Sequence, residues 1–202
     1  MSDMFEIERA CKEKGFSLIC GVDEAGRGPL AGPVCAAAVI LPEYVEIPGL
    51  NDSKKLSDKR RRELFPLIKE QAVAYAIVLV DEKMIDEINI LQATFRAMEQ
   101  AVAQLSATPD YVLVDGNKLP NLTIPAEAVV QGDSRSASIA AASILAKVTR
   151  DDIMLEMAEK YPMYQFEVHK GYGTKAHYEK LREFGPSPIH RMTFLKKFYG
   201  EK

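Results

Sequence analysis

The chain has 202 residues, of which 47% are hydrophobic and 27% charged, and its formal net charge is −3 at pH 7. This length and apolar content predict one α/β domain with its own core, and the charge excludes a protein that holds nucleic acid by net charge alone. No stretch approaches the roughly 18 uninterrupted apolar residues of a membrane span, and the first residues lack the order of a signal peptide, so we expect a soluble cytoplasmic protein.

Basic residues concentrate in two segments. Residues 169–198 contain seven Lys or Arg against two acids, and a second basic cluster lies over residues 54–62. Such runs are usually solvated helix faces, but two basic patches in an acidic chain indicate a local footprint for a polyanion. The three cysteines have no metal-ligand spacing, and we expect reduced, partly buried thiols without chemistry.

The first half of the chain predicts two neighbouring strands, a helix and a third strand. Short apolar segments over 17–22 and 33–41 are joined by a Gly/Pro-rich link, and the first segment ends at an acid pair. Ser57 is placed to cap a helix near 58–71, and residues 72–80 alternate as a strand.

The second half predicts two long helices around two short strands. Apolar residues at helical spacing predict an amphipathic helix over 84–104. Strands over 111–114 and 127–130 follow, and a helix over 134–159, rich in Ala and Ser at its start, can approach the sheet closely. The remainder is predicted to be a small helical tail.

Strands and helices in this order predict an α/β fold, with a mixed sheet flanked by helices and a small C-terminal helical segment. We place the main domain at residues 1–168 and the helical extension, packed on the same domain, at residues 169–202.

Four acids stand at the predicted strand ends. Asp23 and Glu24 follow the first strand, and since successive strand residues point to opposite faces, both can face one site only if the strand ends or bulges between them. Asp115 follows the fourth strand, where an Asp-Gly turn is the ordinary alternative, and Asp133 could simply cap the next helix. Four converging carboxylates would repel one another unless cations neutralised them.

This set of ligands predicts a metal site. Carboxylates without Cys or paired His favour Mg²⁺ or Mn²⁺ over zinc, and such a cluster can hold two ions. Two ions suit phosphodiester hydrolysis, in which one readies a water and the other stabilises the leaving 3′ oxygen. The glycines at 26, 28 and 32 let backbone approach a bulky ligand, and Arg27 offers a planar cation suited to phosphate.

These residues lie in motifs that resemble those of one family. In order, the motifs are Gly-Val-Asp-Glu-Ala-Gly-Arg-Gly-Pro (21–29), Asn-Asp-Ser-Lys-Lys-Leu (51–56), Val-Asp-Gly-Asn (114–117), Gly-Asp-Ser-Arg (132–135), Ala-Ala-Ser-Ile-Leu-Ala-Lys-Val-Thr-Arg-Asp (141–151) and His-Lys-Gly-Tyr-Gly-Thr (169–174). Over nearly its whole length the chain resembles the prokaryotic type 2 ribonucleases H, ribonuclease HII. The resemblance implies an RNase H-like fold of five mixed strands. It also implies Mg²⁺- or Mn²⁺-dependent cleavage of RNA paired to DNA, with nicks 5′ of single ribonucleotides in duplex DNA, leaving 3′-hydroxyl and 5′-phosphate ends.

The resemblance also assigns roles to single residues. The family's metal-binding acids match Asp23, Glu24, Asp115 and Asp133. Its Gly-Arg-Gly motif matches Gly26, Arg27 and Gly28, whose backbone groups would meet the 2′-hydroxyl that separates RNA from DNA. Its junction-sensing tyrosine matches Tyr172, which would stack on the sugar following the cut.

Other polar residues have weaker assignments. Lys54 could bind a backbone phosphate or remain a solvated surface lysine, and Lys147 is expected to form a salt bridge. His169, His177 and His190 lack any ligand spacing, so we expect them at the surface or as capping residues.

The expected partners are RNA/DNA hybrids and ribonucleotide-containing duplex DNA, bound by a monomer without an obligate protein partner or a membrane. Residues 192–199 resemble the hydrophobic end of a sliding-clamp peptide but lack its leading glutamine, so a helix packed on the domain is preferred. Two alternatives are an RNase H-like nuclease or strand transferase acting on DNA, and a catalytically silent hybrid-binding module. The 2′-hydroxyl-reading motif argues against the first, and the complete set of acids against the second.

Overall fold

The computed structural model describes residues 4–43 and 45–200. The start of the predicted main domain (residues 1–3) and the end of the predicted extension (residues 201–202) lie outside the described residues. The strands and α-helices of these residues are, in chain order, α1 (Glu6–Glu13), β1 (Ile19–Ala25), β2 (Val34–Ile40), α2 (Asp58–Gln71), β3 (Ala74–Val80), α3 (Glu82–Ala103), β4 (Tyr111–Asp115), β5 (Ala126–Val129), α4 (Ala137–Lys160), α5 (Phe166–His169), α6 (Lys175–Phe184) and α7 (Met192–Tyr199). Short 3₁₀ turns lie at Ser53–Lys55, Gly132–Ser134 and Pro162–Tyr164.

The five strands form one mixed sheet in the order β3-β2-β1-β4-β5. β1, β2 and β3 pair antiparallel, whereas β1, β4 and β5 pair parallel. This confirms the predicted mixed five-stranded sheet. Because parallel strands end at the same edge, the residues at the carboxyl ends of β1, β4 and β5 meet there.

Helices cover both faces of the sheet. Alternate residues of β1, including Cys20 and Val22, pack into the core under α3, and the opposite face packs against α2 and α4. Gly21 explains how closely α4 approaches, since a Cβ atom there would lie 2.2 Å from the backbone nitrogen of Ile139. The small residues of α4 therefore fix its N-terminal half directly above β1.

The three cysteines are free and buried in this core, as expected. Burial raises the pKa of the Cys20 and Cys35 thiols to about 12, which keeps them protonated and unreactive. None of the helices in the described residues is long and apolar enough to cross a membrane.

The sequence-based element bounds are wrong in three places. β1 does not end at the acid pair, because β2 continues to pair with it: Asp23 lies opposite Ala37 and Glu24 opposite Ala36. Helix α1 was not predicted. The long helix over 84–104 is broken at Asn89, whose φ of 67° is not helical and whose side chain caps the helix that resumes at Leu91.

The C-terminal segment packs on the rest of the fold. Residues 192–199 form α7, as predicted, and Leu195 is buried in a cluster with Leu30 and Phe166. Asp86 of α3 accepts hydrogen bonds from the backbone nitrogens of Met192 and of the next residue, which ties the start of α7 to α3. The division between a domain ending at 168 and an extension from 169 remains a prediction.

Candidate active site

Three carboxylates meet at the strand-end edge of the sheet. Asp23, Asp115 and Asp133 each present an oxygen within 4.8 Å of the others, and Asp23 and Asp133 are almost fully buried. Backbone groups orient two of them: Asp23 accepts from the N–H of Glu24 at 2.7 Å, and Asp115 accepts from the N–H of Gly132 at 2.7 Å. The geometry brings together three of the four acids predicted from the sequence.

Asp133 is not a helix cap. Ser136 caps α4 by accepting from the backbone nitrogen of Ile139, while Asp133 sits earlier, in the 3₁₀ turn after β5. Its carboxylate instead bonds to Lys54 Nζ at 3.1 Å, across 79 residues of sequence. Capping of α4 by Asp133 is therefore excluded, and the Asp133 carboxylate belongs to the triad.

Glu24 lies on the other face of β1. Since β1 runs regularly through both acids, neither the predicted strand end nor a bulge separates them, and their side chains point in opposite directions. Glu24 pairs with Arg27 at 3.5 Å and lines an open cavity of about 280 Å³ together with Asp115. Asp115 thus belongs to the triad and also lines the cavity that Glu24 lines.

Crowding and burial disfavour the ionised carboxylates. Burial, reinforced by the charges of Glu24 and Asp115, raises the pKa of Asp23 well above its usual value. Burial also raises the pKa of Asp133 and Glu24, and the cations Lys54 and Arg27 oppose this rise in part. A divalent cation would stabilise the ionised state, and hard carboxylate oxygens are the donors that Mg²⁺ and Mn²⁺ prefer.

The Gly26–Gly28 loop follows β1 directly and is held from beneath by Arg191. This guanidinium, fully buried, donates to the carbonyl oxygens of Gly26 (2.6 Å), Arg27 (3.0 Å), Pro29 (2.8 Å) and Gly32 (2.9 Å). A trans peptide points its C=O and N–H in opposite directions, so the N–H groups of Arg27 and Gly28 point away from Arg191. The loop therefore presents backbone donors outward.

Tyr172 stands beside this loop. Its ring is partly exposed, and a Cβ added at Gly28 would lie 3.7 Å from its Cε1. Arg150 lies 5.8 Å from the ring centroid and donates to the carbonyls of Ala31, Pro33 and Lys170. One buried guanidinium thus supports both the segment that follows the Gly26–Gly28 loop and the segment that carries Tyr172.

Sequence reasoning missed the roles of Arg150 and Arg191. On the predicted helix over 134–159, the positions three and four residues from Arg150 carry no acid. An arginine without an acidic neighbour at helical spacing was a usable signal. No comparable signal marks Arg191, whose four partners lie about 160 residues away.

The three histidines are also placed differently from the prediction. His169, His177 and His190 are 7%, 0% and 2% exposed, so the expected surface position is wrong. Each ring instead bonds to a backbone group, and His177 and His190 also bond to each other. Lys147 forms its predicted salt bridge, with Asp151 at 2.7 Å.

Comparison with solved structures gives the class of protein. Ribonuclease H2 from Pyrococcus horikoshii OT3 is 28% identical and superposes with a TM-score of 0.73, over 88% of this chain and 93% of that one. Bst-RNase HIII, solved in complex with Mn²⁺, shares the fold at 19% identity and a TM-score of 0.64, over 87% of this chain and 65% of that one. A ribonuclease H fold that carries a carboxylate triad at its strand ends defines a divalent-metal-binding nuclease.

Sequence comparison narrows this class to one family. Residues 20–197 match the family Ribonuclease HII, and the Ribonuclease HII of Endomicrobium trichonymphae is 59% identical over 194 residues, 96% of this chain and 92% of that one. The chain belongs to the ribonuclease HII family and is a metal-dependent endoribonuclease. Membership indicates ribonuclease H activity on RNA/DNA hybrids, and the resemblance seen in the sequence motifs is confirmed.

Proposed function

We propose that this enzyme hydrolyses the RNA strand of RNA/DNA hybrids and also nicks 5′ of single ribonucleotides embedded in duplex DNA, leaving 3′-hydroxyl and 5′-phosphate ends. The observation that carries the proposal is a juxtaposition along one strand. β1 brings Asp23 into the carboxylate triad and then runs straight into the Gly26–Gly28 loop beside Tyr172. Cleavage and recognition of a sugar would be three to five residues apart.

The metal site is proposed to use Asp23, Glu24, Asp115 and Asp133. The raised pKa values of Asp23 and Asp133 support a bound cation, because burial and mutual repulsion disfavour ionised carboxylates unless a positive charge neutralises them. Asp115 belongs to the triad and also lines the cavity beside Glu24, which supports a site with room for two ions. When bound, two divalent ions would supply an activated water and stabilise the leaving 3′ oxygen.

The recognition site is proposed to use Gly26, Arg27, Gly28 and Tyr172. The outward N–H groups of Arg27 and Gly28 can donate to a 2′-hydroxyl, and the exposed face of the Tyr172 ring can stack on the neighbouring sugar. Lys54 is 77% exposed and bonds to Asp133, so it can turn toward a phosphate when substrate binds. A methyl group at Gly28 would fill the space between loop and ring.

We further propose that the protein acts as a cytoplasmic monomer, without an obligate protein partner, in removing ribonucleotides from DNA. Asp23, Asp115 and Asp133 come together within a single chain, so the triad needs no second copy to form.

The decisive assay compares three end-labelled duplexes of one sequence: all DNA, DNA with one ribonucleotide, and an RNA/DNA hybrid. We expect no cleavage of the first, one nick 5′ of the ribonucleotide in the second, and multiple cuts in the third. Cleavage of the all-DNA duplex at a comparable rate would favour the alternative of a DNA nuclease or strand transferase. Binding without any cleavage, in Mg²⁺ and in Mn²⁺, would favour the silent hybrid-binding module.

A further inference from the structure

Two buried histidines connect the segments that carry the proposed recognition site. His177 Nδ1 lies 2.9 Å from the carbonyl oxygen of Tyr172, and His177 Nε2 lies 2.9 Å from His190 Nε2. At the far end, His190 Nδ1 lies 2.8 Å from the backbone nitrogen of Ser187 and 2.8 Å from its hydroxyl. We call these two rings and their partners the histidine relay.

The positions of the protons in the relay follow from its two ends. The backbone N–H of Ser187 can only donate, so His190 Nδ1 accepts and its proton sits on Nε2. His190 therefore donates to His177 Nε2, which leaves the proton of His177 on Nδ1, where it donates to the carbonyl of Tyr172. Both rings are neutral, in agreement with burial that lowers the pKa of each to about 4.

His190 belongs to the segment that pairs with residues 30–32, directly after the Gly26–Gly28 loop. It forms a β-bridge with Ala31, and the hydrogen bonds on either side of it join Gly32 to Ile189 and Leu30 to Arg191. Arg191, the next residue, holds the carbonyls of the Gly26–Gly28 loop. Any displacement of His190 is therefore passed to that loop.

His177 belongs to the other segment. The Nδ1–H of His177 donates to the carbonyl oxygen of Tyr172. The His169 ring stacks on His177, with 4.3 Å between ring centroids, and accepts from the N–H of Gly171. One backbone hydrogen bond, from Leu30 to Gly171, also joins the two segments. Arg150 links them as well, through its bonds to Ala31 and Lys170, and the relay adds a further link that ends on the residue that is to contact the sugar.

We propose that His177 and His190 are positioning residues that set Tyr172 at a fixed distance from the Gly26–Gly28 loop, so that one ribonucleotide can be read between them. This inference rests on the proposed function of Tyr172 and the loop. The histidines do not contact the substrate, and their effect passes through Tyr172. Among the described residues no third metal-ligating side chain completes a metal site with this pair, which leaves hydrogen bonding as its chemistry.

The test is a double-mutant cycle between His177 and Tyr172. His177→Phe keeps a planar ring against Phe166 and His169 but removes both hydrogen bonds. We expect it to lower kcat/KM on the single-ribonucleotide duplex by about tenfold, the scale of one or two hydrogen bonds. In the Tyr172→Ala background the same substitution should lower kcat/KM by less than about twofold, since the relay then has nothing to position.

An equal loss in both backgrounds would overturn the inference, because the histidine would then act independently of Tyr172. If His177→Phe does not fold, nitrogen-detected NMR of the unmodified protein at pH 7 provides the second test: we expect Nδ1–H on His177 and Nε2–H on His190. Any other tautomer, or a charged ring, contradicts the relay. Tyr199→Phe, an exposed ring change in the same extension, serves as the matched control with unchanged kcat/KM.

The outcomes separate this inference from the proposed function. If the unmodified enzyme fails to nick the single-ribonucleotide duplex, or if Tyr172→Ala alone leaves nicking unchanged, the proposed function is wrong at that point. If both behave as proposed and only the cycle is additive, the positioning role alone is wrong.

Discussion

The active-site edge and the layer beneath the glycine loop both bury charge, but they satisfy it differently. Asp23 and Asp133 crowd against Asp115, and among the described residues the cation that bonds to this triad is Lys54, which donates to Asp133. Arg150 and Arg191 are fully buried, and their guanidinium groups donate to seven different backbone carbonyls. Within the described part of the chain neither arginine forms an ion pair with a carboxylate.

This difference separates a site that binds a ligand from a scaffold. A buried charge is costly unless hydrogen bonds or an opposite charge compensate it. The guanidinium groups are compensated by peptide dipoles that belong to the fold, so they need nothing further. The carboxylates are compensated only in part, by the N–H groups of Glu24 and Gly132 and by Lys54. The pKa values of Asp23 and Asp133 are raised by burial, so added positive charge would stabilise their ionised forms. The carboxylate triad is thus suited to bind exchangeable cations. The two arginines are suited to fix the backbone of the segments that they contact.

The largest expected effect comes from neutralising one acid of the triad. Asp115→Asn keeps an oxygen that can accept from Gly132, but removes the charge that a metal ion requires. We expect cleavage of the RNA/DNA hybrid to fall by about a thousandfold or more, equivalent to about 4 kcal/mol in the barrier. The melting temperature should stay constant or rise, because one source of repulsion disappears.

Glu127→Gln on the neighbouring strand β5 is the matched control, since it makes the same acid-to-amide change on an exposed residue. It should leave both the rate and the melting temperature unchanged. Activity retained by Asp115→Asn in Mg²⁺ would remove Asp115 from the metal site, whatever its stability.

The glycine loop gives a pair of substitutions that separate scaffold from recognition. Gly26 has a φ of +96°, and a Cβ there would lie 2.1 Å from Nε of Arg150. We expect Gly26→Ala to lower the free energy of unfolding by about 3 kcal/mol, measured by urea denaturation. At Gly28 a Cβ meets only Tyr172, at 3.7 Å, so Gly28→Ala should stay within about 0.5 kcal/mol of the parent.

Of these two variants, the one that keeps its stability, Gly28→Ala, should still lose activity on the single-ribonucleotide duplex. Gly28→Ala should nick the single-ribonucleotide duplex at least about tenfold more slowly while remaining folded, because its methyl group occupies the space for the sugar. Unchanged selectivity in a folded Gly28→Ala variant would contradict the recognition site. An equally stable Gly26→Ala variant would contradict the role of Arg150 as a fixed support.

The sequence was sufficient for the sheet and for bringing Asp23, Asp115 and Asp133 to one edge of it, and the reason is local. Apolar segments bounded by Gly, Pro and Asp specify where strands begin, and parallel order brings Asp115 and Asp133 to one edge. It was insufficient where a distant partner decides. β1 extends past its apolar run because β2 offers Ala36 and Ala37 opposite the acids, and nothing within residues 17–25 encodes that pairing.

Burial of polar side chains was the other limit. His177 and His190 read as surface residues because polarity and spacing were the only local information. Their burial depends on contacts with Phe166 and with each other, and these residues lie apart in the sequence. Asn89 is similar, since an apolar repeat continues on both sides of it and hides the break in α3.

The smallest expected effect concerns Lys54, an exposed cation that pairs with the buried carboxylate of Asp133. Burial alone would lower the pKa of Lys54, but its bond to Asp133 and the nearby charges of Asp23 and Asp52 outweigh this and raise it. In the free protein Lys54 therefore acts as an internal counter-ion. If Lys54 moves to a phosphate when substrate binds, Lys54→Met should raise KM a few-fold. The slope of the logarithm of the substrate-binding constant against the logarithm of the salt concentration should also fall in magnitude by about one unit.

Lys55→Met is the control, because Lys55 is comparably exposed and pairs with Asp52 at 3.7 Å instead of with the triad. It should leave the salt dependence unchanged. A counter-ion that never leaves Asp133 gives a different result: Lys54→Met would lower the Mg²⁺ concentration for half-maximal activity, since a competing cation is gone, and leave the salt dependence as it was. Measuring both quantities for one pair of variants decides whether Lys54 belongs to the substrate surface or to the carboxylate cluster.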